Sequence, residues 1–82
     1  MDQAELKEGL RALIAEIIEV DPSQVEDTRS LKDLGVDSMQ AIEIISDIER
    51  RYQIKIPEGD FKRVTNLESV TALLVEKLAA RA

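Results

Sequence analysis

Apolar residues recur at helical spacing in three separate segments, and this periodicity constrains the fold of the 82-residue chain more than any other feature. The segments run from about Gln3 to Val20, from Ser38 to Tyr52, and from Leu67 to about Ala80. In each of them Leu, Ile or Val recurs every three or four residues, which is the pattern of a helix with one buried face. The sequence therefore predicts three amphipathic helices. In the second of them, Ile42 and Ile44 are predicted to lie at the two borders of the buried face.

A long polar connection, Asp21 to Asp37, joins the first two predicted helices. Asp21–Pro22 should end the first helix, since the residue before a proline avoids helical backbone angles. The same pair can open a short helical turn, and Ser30–Asp33 can open another that Gly35 stops. Four apolar residues are expected to pin this connection to the helical core: Val25, Leu31, Leu34 and Val36.

The segment from Arg51 to Gly59 joins the second and third predicted helices. Ile54 and Ile56 alternate around Lys55, which is a strand-like pattern, but a single strand would have nothing to pair with. We therefore predict an extended linker that buries both isoleucines.

A short helix is predicted after this linker, with Asp60 as its cap and with Phe61 and Val64 facing inward. Asn66 is predicted to cap the last helix. The expected fold class is all-α, a small bundle of three main helices plus one short helix, with a long first loop. Residues 1–82 are expected to form a single monomeric domain, which is either free-standing or a part of a larger protein.

The composition limits which functions are available. The chain contains no histidine and no cysteine, so it lacks the commonest general base and any thiolate metal site. Seventeen acidic residues stand against 11 basic ones, for a formal net charge of −6. This balance argues against nucleic-acid binding and favours partners with basic surfaces. With no signal-peptide pattern and no apolar run of membrane-spanning length, we expect a cytoplasmic protein without membrane insertion.

The join between the long connection and the second helix is the most informative position in the chain. Asp37 is predicted to be the N-cap, with Gln40 three residues later completing a capping box, so Ser38 would be the first helical residue. Its hydroxyl would point outward beside unpaired N–H groups at the positive end of the helix dipole, which suits a phosphate. The alternative reading is that Asp37–Ser38 is only a helix cap.

The hexapeptide Leu34–Met39, LGVDSM, resembles the attachment motif of acyl carrier proteins, and the resemblance continues through nearly the whole chain. It implies that Ser38 carries a covalent 4′-phosphopantetheine arm derived from coenzyme A. The thiol of that arm would hold acyl intermediates as thioesters for enzymes of fatty acid or polyketide synthesis. Asp37 would serve both as helix cap and in recognition by a phosphopantetheinyl transferase.

The same resemblance predicts the residues that contact partners, namely Met39, Glu43, Asp47 and Asp33. Besides the transferase, the implied partners are acyltransferases, ketosynthases or acyl-activating enzymes with basic docking surfaces. Met39 lies off the predicted core stripe, so it is either an exposed partner contact or a residue folded under the preceding loop.

Two features depart from the carriers of fatty acid synthesis. Arg50 and Arg51 place positive charge at the end of a helix that is often acidic there, and Ser46 replaces an apolar residue. These departures leave the identity of the partners open and are compatible with a specialised pathway.

Other readings of the chain remain open from the residues alone. Autonomous catalysis by Ser38 would need an activating base that the sequence does not offer. An aminoacyl, peptidyl or D-alanyl carrier would share the arm, and an unmodified helical adaptor would lack it. An acyl cargo could also fold into the bundle, although the candidate lining residues read equally well as ordinary core: Ile45, Ile48, Ile56, Phe61, Val64 and Leu73.

Overall fold

The computed structural model describes residues 2–81, which form three α-helices and two short 3₁₀ helices. The α-helices are α1 (Gln3–Ile18), α2 (Ser38–Tyr52) and α3 (Leu67–Arg81), and the 3₁₀ helices span Pro22–Gln24 and Glu58–Arg63. No strand forms between residues 2 and 81. The predicted all-α class, with three main helices, a short one and a long first loop, is confirmed.

The bounds of α2 are those predicted, whereas α1 begins at Gln3 as predicted but ends two residues early. Val20 lies outside α1, because Glu19 adopts left-handed backbone angles (φ 59°, ψ 48°) and its N–H donates to the carbonyl of Ala15. The prediction that Asp21–Pro22 ends this helix is therefore wrong by two residues. Asp21 instead caps the following 3₁₀ turn, as predicted, by accepting from the N–H of Ser23 at 2.9 Å.

One apolar core is formed by all three α-helices and the segments between them. Ile44, predicted to lie at the border of the buried face of α2, is fully buried, whereas Ile42 at the opposite border is 52% exposed. The buried face of α2 is thus turned toward Ile44. The buried apolar residues are Leu6, Leu10, Leu13, Ile14, Ala15, Val25, Leu31, Ile44, Ile45, Ile48, Ile56, Leu67, Val70, Leu73 and Leu74.

The linker after α2 buries Ile56 but leaves Ile54 half-buried, so the prediction that it buries both isoleucines holds only in part. Phe61 packs against the core from the second 3₁₀ helix, and Val64 packs against it from the position just after that helix, so both face inward as predicted.

Asp60 does not cap the short helix that follows this linker. That 3₁₀ helix starts after Pro57 without a side-chain cap, and Asp60 lies within it. Its carboxylate binds the Nζ of Lys77 at 2.8 Å and lies 3.5 Å from the Nη1 of Arg63. The predicted cap is wrong because ion pairs with these two cations, one of them on α3, hold this carboxylate instead. The predicted cap of α3 is correct, since Asn66 Oδ1 accepts from the N–H of Ser69 at 2.8 Å.

Gly9 of α1 lies beside the side chain of Tyr52, the last residue of α2. A Cβ atom at position 9 would lie 3.0 Å from the hydroxyl oxygen of Tyr52. Glycine costs up to about 1 kcal/mol in a helix interior relative to alanine. To admit an alanine at position 9, the Tyr52 hydroxyl would have to move by a few tenths of an ångström.

This contact predicts a coupling between the two positions. In a Tyr52→Phe background, Gly9→Ala should raise the free energy of unfolding by roughly 0.5–1 kcal/mol through helix propensity. With the Tyr52 hydroxyl present the gain should be smaller, because the new methyl group presses on that oxygen. Urea unfolding of the four variants measures this double-mutant cycle. Equal gains in both backgrounds would show that the hydroxyl does not constrain Gly9.

Candidate functional site

Asp37 is the N-cap of α2, as the sequence predicts. Its backbone is extended (φ −93°, ψ −178°), and its Oδ1 accepts from the N–H of Gln40 at 2.8 Å. Its carbonyl accepts from the N–H of Ala41 at 2.9 Å, which opens the helical ladder. The predicted capping box is incomplete, because the N–H of Asp37 does not donate to the side-chain oxygen of Gln40 within residues 2–81. The cap therefore consists of the Asp37 side chain alone.

Ser38 is the first residue of α2, and its side chain is exposed. Its hydroxyl makes no hydrogen bond to any residue in the described chain, so it is free to react. The N–H groups of Ser38 and Met39 belong to the first helical turn and have no acceptor within the helix. An anion attached to Ser38 would meet these N–H groups and the positive end of the helix dipole, so the position fits a phosphodiester.

Backbone hydrogen bonds to the start of α3 hold the connection that leads to Ser38. The N–H of Leu31 donates to the carbonyl of Thr65 at 2.9 Å, and the N–H of Glu68 donates to the carbonyl of Asp27 at 3.0 Å. Val25 and Leu31 are buried, and Leu34 and Val36 pack against the core. The predicted pinning of the connection by its apolar residues is confirmed.

Side-chain contacts hold the same connection to α1. Arg11 donates to Oδ1 of Asp27 at 2.7 Å and to the carbonyl of Val25, while Lys7 donates to Oδ2 of Asp27 at 3.1 Å. Hydrogen bonds from Arg11 and then Lys7 lower the pKa of Asp27 below its ordinary value. A lowered folded-state pKa means that this carboxylate stabilises the fold above its unfolded-state pKa. That contribution is lost as the pH falls through the folded-state pKa.

A tight turn, Leu31–Gly35, brings the chain from this anchored segment to Ser38. The N–H of Gly35 donates to the carbonyl of Lys32 at 3.0 Å, and the N–H of Val36 donates to the carbonyl of Leu31 at 3.0 Å. Gly35 has φ +88°, which a side chain would strain, although a Cβ there would meet nothing within 4 Å. The glycine is thus required by the backbone angle rather than by lack of space.

An open groove of about 510 Å³ lies beside Ser38, between the connection, the start of α2 and the segment before α3. Lys32 is the one basic residue that lines it. Of the six residues predicted as possible lining for an acyl cavity, only Val64 reaches this groove. The lining residues are Ser30, Leu31, Lys32, Val36, Asp37, Ser38, Ala41, Val64 and Thr65.

The residues predicted to contact partners differ in their exposure to solvent. Met39 is 81% exposed, so the alternative in which it folds under the preceding loop is wrong. Glu43 and Asp33 are exposed, whereas Asp47 is half-buried and paired with Arg50.

Ile42 is a surface residue that the sequence analysis assigned to the border of the core. It lies one helical turn from Met39, so the two side chains form an exposed apolar pair beside Ser38. Their spacing of three residues was the signal that could have identified the pair.

Within residues 2–81, no side chain forms the hydrogen bond to the Ser38 hydroxyl that an activating base would form. The carboxylate nearest in sequence, that of Asp37, already accepts from a backbone N–H. Residues 2–81 contain no group of three or more side chains that could hold a metal ion. No helix in this part of the chain is long and apolar enough to cross a membrane.

Comparison with known proteins relates this geometry to a family. The family model described as "Phosphopantetheine attachment site" matches residues 8–74. An acyl carrier protein of Guillardia theta is 33% identical over 81 residues, which cover 98% of this chain and all of that protein.

Two further comparisons extend the similarity. The polyketide-8 synthase acyl carrier protein 2 of Streptomyces avermitilis is 36% identical over 73 residues, covering 88% of this chain and 84% of that protein. The crystal structure of an acyl carrier protein from Thermotoga maritima superposes with a TM-score of 0.84 at 18% identity. That superposition covers 100% of this chain and 96% of the other, and it shows a shared fold.

The cap at Asp37 can be tested by comparing two substitutions. Asp37→Ala removes the acceptor of the Gln40 N–H and should lower the free energy of unfolding by about 0.5–2 kcal/mol. Asp37→Asn keeps a side-chain oxygen in the same place and should cost much less. Chemical denaturation measures both. If Asn proved as destabilising as Ala, the role of Asp37 would not be that of a cap.

Proposed function

Because the chain belongs to the phosphopantetheine attachment site family, we propose that Ser38 is the residue to which the arm of this carrier protein is attached. The family consists of carrier proteins that are not catalysts themselves, and its prosthetic group is 4′-phosphopantetheine. The observation that supports Ser38 is its free, exposed hydroxyl at the capped start of α2, within the part of the chain that the family model matches.

Attachment requires little of the chain beyond an accessible hydroxyl in a fixed position. The Oγ of Ser38 bonds to the phosphorus that bears pantetheine in coenzyme A, the bond between the two phosphates breaks, and adenosine 3′,5′-bisphosphate leaves. The transferase supplies the base that takes the hydroxyl proton, since the chain has no histidine. When bound, the arm supplies a thiol that holds acyl groups as thioesters.

The residues around Ser38 would stabilise the attached phosphate. The first-turn N–H groups of α2 offer donors to its oxygens. Lys32 lies in the groove beside Ser38 and adds a positive charge on the side of the connection. The groove itself offers space for the part of the arm nearest to Ser38.

We further propose that the cargo is an acyl intermediate of fatty acid or polyketide synthesis. The named relatives include both an acyl carrier protein and an acyl carrier protein of a polyketide synthase. Arg50 offsets the charge of Asp47, so the face of α2 is less acidic than its carboxylates alone would make it. This mixed charge favours a specialised synthase over the general partners of fatty acid synthesis.

Residues 1–82 are proposed to act as one carrier domain whose partners dock around Ser38. Met39 and Ile42 offer an exposed apolar contact, and Glu43 and Asp33 offer carboxylates to basic docking surfaces. Asp47, already paired with Arg50, is a weaker candidate than the sequence indicated. Asp37 would contribute to transferase recognition besides capping the helix.

Intact-protein mass spectrometry tests the attachment site. The wild-type chain and Ser38→Ala are incubated with coenzyme A and a phosphopantetheinyl transferase of broad specificity. Wild type should gain the mass of one phosphopantetheine and Ser38→Ala should gain none. Circular dichroism confirms that the variant is folded. Addition to Ser38→Ala, or no addition to folded wild type, would reject Ser38 as the site.

The rate of the same reaction tests the proposed docking face. The double variant Met39→Ser with Ile42→Ser should lower kcat/KM for the carrier, because it removes the apolar contact beside Ser38. The matched control is Val75→Ser, which changes an exposed apolar residue on α3. An equal loss in the control, or an unchanged rate in the double variant, would exclude this face from transferase docking.

A further inference from the structure

Basic residues gather at the end of the bundle that lies away from Ser38. Arg51 lies in the last turn of α2, Lys55 lies in the following linker, and Lys77 and Arg81 lie in the last turns of α3. The 15 residues of α2 separate this end from Ser38 by about 20 Å, at 1.5 Å per residue. The concentration is notable because the chain as a whole carries a net charge of −6.

Two adjoining grooves open among these basic residues. The larger, of about 530 Å³, is called the distal groove here and is lined by Glu49, Gln53, Ile54, Lys55, Lys77, Ala80 and Arg81. The second, of about 480 Å³, is lined by Arg51, Tyr52, Gln53, Leu78 and Arg81. Both are lined by Gln53 and Arg81, so together they form a continuous basic surface with apolar portions.

Hydrogen bonds fix the guanidinium of Arg81 at this surface. Its Nη1 donates to the carbonyl of Tyr52 at 2.7 Å and to that of Gln53 at 3.1 Å. These carbonyls belong to the C-terminal end of α2, where helical acceptors lack partners within the helix. The guanidinium is therefore held in place by one nitrogen, and its other N–H groups remain available.

Most of the positive charge at this end is not neutralised. Lys77 is paired with Asp60, but Arg51, Lys55 and Arg81 form no ion pair with any carboxylate of residues 2–81. The one acidic residue in the distal groove, Glu49, accepts from the backbone N–H of Ile56 at 2.8 Å. A ligand with several carboxylates would find unpaired cations here.

We propose that the distal groove and the groove adjoining it together dock an acidic amphipathic segment of a partner protein. The carboxylates of such a segment would pair with Lys55, Arg51 and the free N–H groups of Arg81, whose planar guanidinium suits a carboxylate. An apolar side chain of the segment would lie on Ile54 and Ala80. Binding at this end leaves Ser38 uncovered, so it would tether the carrier while other enzymes reach the arm. The proposal does not depend on the modification of Ser38.

An NMR titration with a defined probe tests the docking surface. The full ¹⁵N-labelled chain, both wild type and Ser38→Ala, is titrated with an acidic amphipathic peptide in which glutamate and leucine recur at helical spacing. Amide shifts should concentrate at Gln53, Ile54 and Ala80 in both proteins, and Kd should rise with salt. A peptide with lysine in place of glutamate should not bind.

Single charge reversals locate the binding surface. Lys55→Glu should weaken binding about tenfold at low salt, because an attraction becomes a repulsion. Arg29→Glu is the matched control, since it reverses an exposed basic residue of the connection between α1 and α2 and should leave Kd unchanged. No binding to wild type, shifts centred on Ser38, or an equal loss in the control would overturn the proposal. Because Ser38→Ala is titrated in parallel, such a failure is separable from any failure of the attachment site.

Discussion

The backbone polar groups of the connection between α1 and α2 need partners, and the position of Ser38 depends on how they find them. A connection of this length has no helical ladder of its own, yet buried or half-buried N–H and C=O groups must be paired. Here Leu31 and Asp27 bond to Thr65 and Glu68 at the start of α3. Arg11 joins the carboxylate of Asp27 to the carbonyl of Val25 from the side of α1. Contacts with both α1 and α3 therefore hold the connection, and the turn that ends at Gly35 fixes the position of Ser38.

This arrangement explains why the chain positions the Ser38 hydroxyl and leaves its activation to a second protein. A carrier needs a hydroxyl that a second protein can reach and recognise, rather than a hydroxyl activated by its own neighbours. The cap by Asp37 and the anchored connection hold Ser38 in position, and the exposed pair Met39 and Ile42 lies beside it. The charged groups are also separated along the molecule, with unpaired carboxylates near Ser38 and unpaired cations at the distal groove. A single small bundle can thus offer two surfaces of opposite character to different partners.

Local patterns in the sequence predicted the local features of this structure. The helical periodicity predicted the extent of α2, and the capping roles of Asp37 and Asn66 followed from residue type and position. The errors have non-local causes. Asp60 was predicted to cap a helix, but a lysine on α3 and a nearby arginine hold it. Ile42 was assigned to the border of the core, but the packing partners of α2 decide which border is buried. The hydrogen bonds of Leu31 and Glu68 join residues distant in sequence, and no pattern in one chain predicts such pairs.

The most direct test of this account is amide hydrogen exchange of Leu31 and Glu68, followed by NMR. Neither N–H group has an acceptor within a helix, because Leu31 lies in the connection and Glu68 lies in the first turn of α3. Each donates instead to a backbone carbonyl across the fold. If the connection is anchored as described, both should exchange far more slowly than an unstructured peptide, at rates similar to those of interior amides of α2. Exchange of both at the rate of an unstructured peptide would show that the connection opens freely. Ser38 would then lack the fixed position on which the account depends.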